Sequence, residues 1–180
     1  MTNLNNKEKN SMKRTPRNIP EIVGYYRRQN VSILTLLDTL HGWGEVISFD
    51  EVAQLYYQHH RKQTLEILGS LPTLNEYLAK VRLNKDAGFA MAKAATNKCM
   101  RACFNLQHYT DKVRLDVILD WHFTNYQTDP DNIFFGVKFI LDGLVNSGKL
   151  KNDGCANVRN IFHQYSISNR KGVTVTLIEL

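Results

Sequence analysis

No stretch of this 180-residue chain is apolar for long enough to cross a membrane. The opening residues, MTNLNNKEKNSMKRTPRN, lack the apolar core of a secretory signal peptide and read as a disordered polar lead-in. Cysteine is scarce. Cys99, Cys103 and Cys155 are odd in number and irregular in spacing, which argues against a disulfide scaffold and for a reducing, cytoplasmic compartment. Four prolines and ten glycines leave few obligatory breaks, and no internal repeat is evident. What is present is a 43% hydrophobic composition, sufficient for one full domain plus an extension. The formal charge of +6 favours polyanionic partners, an argument about association and not about fold.

Apolar residues recur at helical spacing at Val23, Tyr26, Ile33, Leu36, Leu37 and Leu40, up to a break at HGWG, residues 41–44. A second helix is expected from a capping box, Ser48 with Glu51, and carries Val52, Leu55 and Tyr56 on one face. A boundary near Gln63 gives residues 1–63 as a polar lead-in with a helical extension, and 64–180 as the main domain. TLEILGS reads as a short strand, SLPTLNEYL as a loop interrupted by Pro72, and residues 85–107 as a long helix with Lys93, Lys98 and Arg101 on its surface. Residues 112–123 alternate Val113, Leu115, Val117, Leu119 and Trp121 with a mostly polar set, which predicts a strand with one half-exposed face. The turn-rich NYQTDPDN leads into a helix over 133–145, and two strands, 158–167 and 173–180, close the chain around an SNRKG turn. The expected class is α+β, a small mixed β-sheet packed against helices.

Asp129 and Asp131 flank Pro130 where a strand gives way to a helix. Proline biases Asp129 towards extended geometry, in which side chains two residues apart share a side. Two such carboxylates suit a hard divalent cation, and each disfavours ionisation of the other until a cation neutralises the pair. Lys138 follows Asp131 by two helical turns, and Asp153 lies in a loop from which a carboxylate can return towards the pair. Residue by residue, plainer readings exist: Asp131 as a helix N-cap, Lys138 as a solvated helix position, Asp153–Gly154 as a turn.

Taken in order, DPDNIFFGVKFILDGLVNSGKLKND, residues 129–153, resembles the acidic DxDN, lysine, hydrophobic-DxL and terminal acidic elements of the RusA family of Holliday-junction resolvases. LPTLNEY, residues 71–77, resembles that family's proline- and asparagine-containing loop, and GVTVTLIEL its closing strand; the resemblance covers about residues 64–180. It implies a crossover junction endodeoxyribonuclease of DNA recombination and repair, encoded in a phage or prophage setting. It also implies a magnesium cofactor, with manganese as an alternative, no small-molecule cofactor, and a homodimer acting on branched DNA. Asp129, Asp131 and Asp153 match the family's metal-binding acids and Lys138 its catalytic lysine, with Asn75, Asn132 and Asp142 in supporting places. The spacing from Asp131 to Lys138 is longer than in the family pattern, which points to an insertion around residues 133–135. NYQT stands where several members carry DNA-contacting arginines, so Lys93, Lys98, Arg101, Lys149 and Lys151 are the candidate phosphate contacts.

Two rival readings remain: a catalytically silent DNA-structure-binding protein, and an unrelated magnesium-dependent phosphoesterase of small substrates. Cys99, Cys103 and His108 as soft-metal ligands lack a fourth partner, and the cysteines read as buried core. His59 and His60 read as exposed. Tyr25, Tyr26, Tyr56 and Tyr57 could stack on unpaired bases, but core packing between the N-terminal helices is favoured.

Overall fold

The computed structural model describes residues 18–29, 31–125 and 129–180. The expected disordered lead-in falls outside the described residues, apart from Asn18, which caps the first helix. The chain divides into two compact units between His59 and His60. Lys62 and Gln63 already pair in the sheet, so the expected boundary near Gln63 lies slightly too late.

The first unit holds α1 (Ile19–Arg28), α2 (Ile33–Gly42) and α3 (Phe49–Tyr56). One apolar period was expected from Val23 to Leu40, yet the chain turns between α1 and α2. Ser32 is the cause: its hydroxyl accepts from Thr35 N and caps a new helix. The apolar spacing runs on across the turn because the turn is short. The Ser48–Glu51 capping box forms as expected. Glu51 accepts from the Ser48 N–H, which holds its carboxyl below the usual range. α3 packs on α1 and α2 with Val52 and Tyr56 buried, and the Tyr56 hydroxyl donates to the Val31 carbonyl at 2.6 Å. Tyr57 is buried as well, whereas Tyr25 is exposed, so core packing accounts for only part of the tyrosine set.

The second unit runs β1 (Lys62–Leu68), α4 (Leu74–Leu83), α5 (Lys85–Ala102), β2 (Leu115–Phe123), α6 (Pro130–Ile133), α7 (Phe135–Asn146), β3 (Val158–Ile167) and β4 (Gly172–Glu179). It is a mixed α+β fold with strand order β1-β4-β2-β3. β4 pairs antiparallel with β1 and β2, and β2 pairs parallel with β3, leaving β1 and β3 at the edges. The second half of SLPTLNEYL is helix, not loop. Thr73 and Glu76 form a reciprocal capping box there, and Pro72 precedes the cap, where its missing N–H costs nothing.

Leu115, Val117, Leu119 and Trp121 point from β2 into a core shared with Val173, Val175 and Leu177 of β4 and with Phe139, Ile140 and Leu144 of α7. Each such side chain contributes about 1.5–3 kcal/mol of apolar burial. α5 and α7 cross closely at Gly143, where an added Cβ would sit 2.6 Å from Cys99 Cβ and 2.8 Å from Met100 N. The same burial raises the thiols of both helix cysteines, Cys99 to about 12.

Candidate functional site

The two ends of the sheet differ in chemistry. At one end lie the C-termini of β1, β2 and β3 and the N-terminus of β4, with Leu68 opposite Gly172 and Phe123 opposite Ile167. Asp129 and Asp131 follow β2 at this end. Asp129 is the extended N-cap of α6 (φ −70°, ψ 132°), with Pro130 in the first turn, yet its carboxylate makes no capping hydrogen bond. Asp131 is therefore the second residue inside the helix and not its cap. Both acids are exposed, and among the described residues neither carboxylate is engaged by a hydrogen bond or ion pair. They present oxygen donors to solvent on a proline-stiffened corner.

Phe134 ends α6 and opens α7 in helical geometry (φ −56°, ψ −24°), without side-chain capping on either side. This break falls at the insertion expected around residues 133–135. Aromatic packing holds it: the Phe134 ring lies 4.4 Å from His163, and Phe135 meets Tyr77 and Phe139. Gly136 lets α7 close on Trp121, since a Cβ there would meet the indole at 2.9 Å. Trp121 in turn donates through Nε1 to His163 Nδ1 at 3.1 Å. An acceptor at Nδ1 means a neutral imidazole, and burial pushes the His163 pKa below its ordinary value.

On α7, Lys138 is exposed and its ammonium bonds both oxygens of Asp142, at 2.9 and 3.3 Å. The two lie one helical turn apart, as an i,i+4 pair. At this surface exposure it contributes about half a kcal/mol, so its use is to hold the lysine in one orientation. Asn132 is half-buried in α6, and Asn75 is exposed in the first turn of α4.

Asp153 is elsewhere. Its loop is tied to the N-terminal end of β2: Lys151 pairs with Asp111 at 2.6 Å, and Asn157 donates to the carbonyls of Asp111 and Val113. The Gly154 carbonyl accepts from Asn157 and Val158, and Val158 is opposite Leu115. The length of β2, about 26 Å at about 3.3 Å per residue, thus separates Asp153 from the other two acids. The expected return of this carboxylate within one chain does not occur, because α7 carries the chain back along the sheet before the loop begins. Among the described residues, no group of three His, Cys, Asp or Glu side chains is placed to hold a metal ion.

The candidate phosphate contacts divide in the same way. Lys149 donates to the Leu106 carbonyl, and Lys151 pairs with Asp111, both at the far end. Lys98 donates to the Ser70 carbonyl at the Asp129 end. Lys93 and Arg101 are exposed on α5. The NYQT departure lies mostly outside the described residues, of which only Asn125 is described.

Several polar groups escaped the sequence reading. Asp116, expected on a half-exposed face, is fully buried, gripped by Arg159 at 2.5 and 3.0 Å and by Asn160 at 3.0 Å. A register shift makes this possible: Leu115 faces Val158 and Asp116 faces Asn160, so the extra residue, Arg159, turns its side chain onto Asp116. Further along that face, His122 sits between Ser166 and Thr174 at 2.8 Å each, and Ser166 also donates to Asp120. The alternation Asp116, Asp120, His122 was the available signal, but it gives no partners. Compared with known proteins, the chain matches no family model and no curated protein.

Proposed function

We propose that this protein is a magnesium-dependent endodeoxyribonuclease that resolves Holliday junctions and related branched DNA. The observation that carries the reading is the placement of the DxDN acids, exposed and without a partner among the described residues, on a rigid corner after β2, followed by a lysine fixed by its i,i+4 acid. Bound magnesium would supply Lewis acidity and a more acidic water. Asp129 and Asp131 supply hard oxygen donors, and Lys138, aimed by Asp142, offers positive charge to a phosphate whose charge rises during cleavage.

One chain holds only two of the three acids at this corner, so a three-carboxylate site takes Asp129 and Asp131 from one copy and Asp153 from another. A two-fold dimer meets this requirement and also the need for paired, symmetric nicks. β3 is the edge strand between the two ends, and antiparallel pairing of two β3 strands would set the Asp153 end of each copy beside the Asp129 end of its partner.

The test is nicking of a labelled four-way junction, with linear duplex as control, with and without magnesium. Wild type should give symmetric, magnesium-dependent nicks, and Asp131→Asn should bind the junction without cutting. An equimolar mixture of Asp131→Asn and Asp153→Asn chains should regain cleavage at a single strand, since one of the two shared sites in a mixed dimer is intact. A mixture as inactive as its parents would refute the shared site. Tight binding without cleavage by wild type would favour the silent DNA-structure-binding protein, a reading that the helix break ahead of Lys138 supports.

A further inference from the structure

Beside Asp129 and Asp131, Lys138 is held by Asp142, and three of the candidate phosphate contacts are already engaged. Lys149 and Lys151 are engaged at the opposite end of the sheet, and Lys98 is bonded to a backbone carbonyl. The β3–β4 turn, which the sequence reading treated only as a turn, carries two adjacent exposed cations, Arg170 and Lys171. Among the described residues neither side chain has an acidic partner.

Three features make this turn a built surface and not a loose loop. The Lys171 carbonyl accepts from Gly69 N at 2.7 Å, which pins the turn to the β1–α4 connection. Gly172 lies so near the end of β1 that a Cβ would meet the Ile67 carbonyl at 2.7 Å. Behind the turn is a cleft whose walls include Arg170, Lys171, His122 and Thr174, with Glu66 as its one acid. A second cleft shares Lys171 and His122 with it and reaches Ile133 of α6, next to the acidic corner.

We propose that Arg170 and Lys171 form a phosphate clamp that holds the DNA backbone at the Asp129–Asp131 end of the sheet. The proposal rests on the nuclease reading for the identity of the polyanion. Arg170 presents a planar fork suited to two phosphate oxygens, and Lys171 a point charge beside it. Such contacts position the duplex without reading sequence.

The experiment is fluorescence anisotropy of a labelled four-way junction, without magnesium, over about 50–200 mM salt, for wild type, Arg170→Gln/Lys171→Gln, Arg170→Lys and the far-end control Lys62→Gln. Each phosphate contact contributes a slope of about 0.9 in log K against log salt. Loss of two contacts should therefore lower the slope by about 1.8, so that the fourfold salt rise weakens the double variant roughly tenfold less than wild type. Arg170→Lys and Lys62→Gln should keep the wild-type slope. Thermal melting of each variant checks that the hairpin is intact. An unchanged slope in a folded double variant overturns the clamp while leaving the nuclease reading in place. Salt-dependent binding lost in the double variant, with no cleavage by wild type, supports the clamp and removes the nuclease. Absence of junction binding by wild type overturns both.

Discussion

Gly143→Ala tests the packing that positions α7. The added Cβ would lie 2.6 Å from Cys99 Cβ, 2.8 Å from Met100 N and 2.9 Å from Cys99 C, where ordinary carbon contacts are about 3.5–4 Å. Two of the three atoms are backbone, so no side-chain rotation can relieve the clash, and α5 and α7 must separate by about 1 Å. Overpacking of this kind costs about 1–3 kcal/mol. Replacing a helical glycine returns about 0.5–1 kcal/mol, leaving a net loss of up to about 2.5 kcal/mol, centred on about 1 kcal/mol. For a unit of this size that is a fall in Tm of about 4 °C, and at most about 10 °C, read by calorimetry. Because Asp142 adjoins Gly143 and aims Lys138, cleavage should fall further than the stability loss explains. Gly42→Ala, where nothing lies within 4 Å, is the control and should leave cleavage unchanged. A Tm that rises in Gly143→Ala would show that the helices are not in close contact and would refute the argument.

Asp116→Ala strips Arg159 of its buried partner and should cost about 3–5 kcal/mol in urea unfolding, whereas an apolar pair at both positions should recover most of it; a loss near 1 kcal/mol in the single variant would mean that the pair is solvated. Of the three free thiols, Cys155 alone is exposed, so a thiol reagent should label one cysteine per native chain and three after unfolding. Native labelling of Cys99 at a comparable rate would contradict its burial and its pKa of about 12. His163 has a lowered pKa in the fold against about 6.5 unfolded, so the unfolded chain binds the extra proton first. Its contribution is complete above about pH 6.5 and is lost as pH falls through the folded value, together with the Trp121 hydrogen bond. His163→Gln, which keeps an acceptor, should flatten that acid slope in urea midpoints followed by Trp fluorescence. An NMR titration midpoint for His163 at or above 6.5 would overturn this account.

The sequence by itself determined the elements. Period-two alternation placed β2, the SNRKG turn between two runs placed β3 and β4, and the Ser48–Glu51 box placed α3, because these signals are local. It also marked the acidic corner and Lys138, two helical turns apart. α4 was missed because Pro72 outweighed the Thr73–Glu76 cap, and the α1–α2 turn because the apolar spacing continued across it. Tertiary structure alone decided which residues meet. Parallel pairing of β2 with β3 requires α7 to cross the length of the sheet, and that crossing sends Asp153 to the opposite end from Asp129 and Asp131. The one-residue register shift that turns Arg159 onto Asp116 is likewise set between strands more than forty residues apart, where no local pattern carries the information.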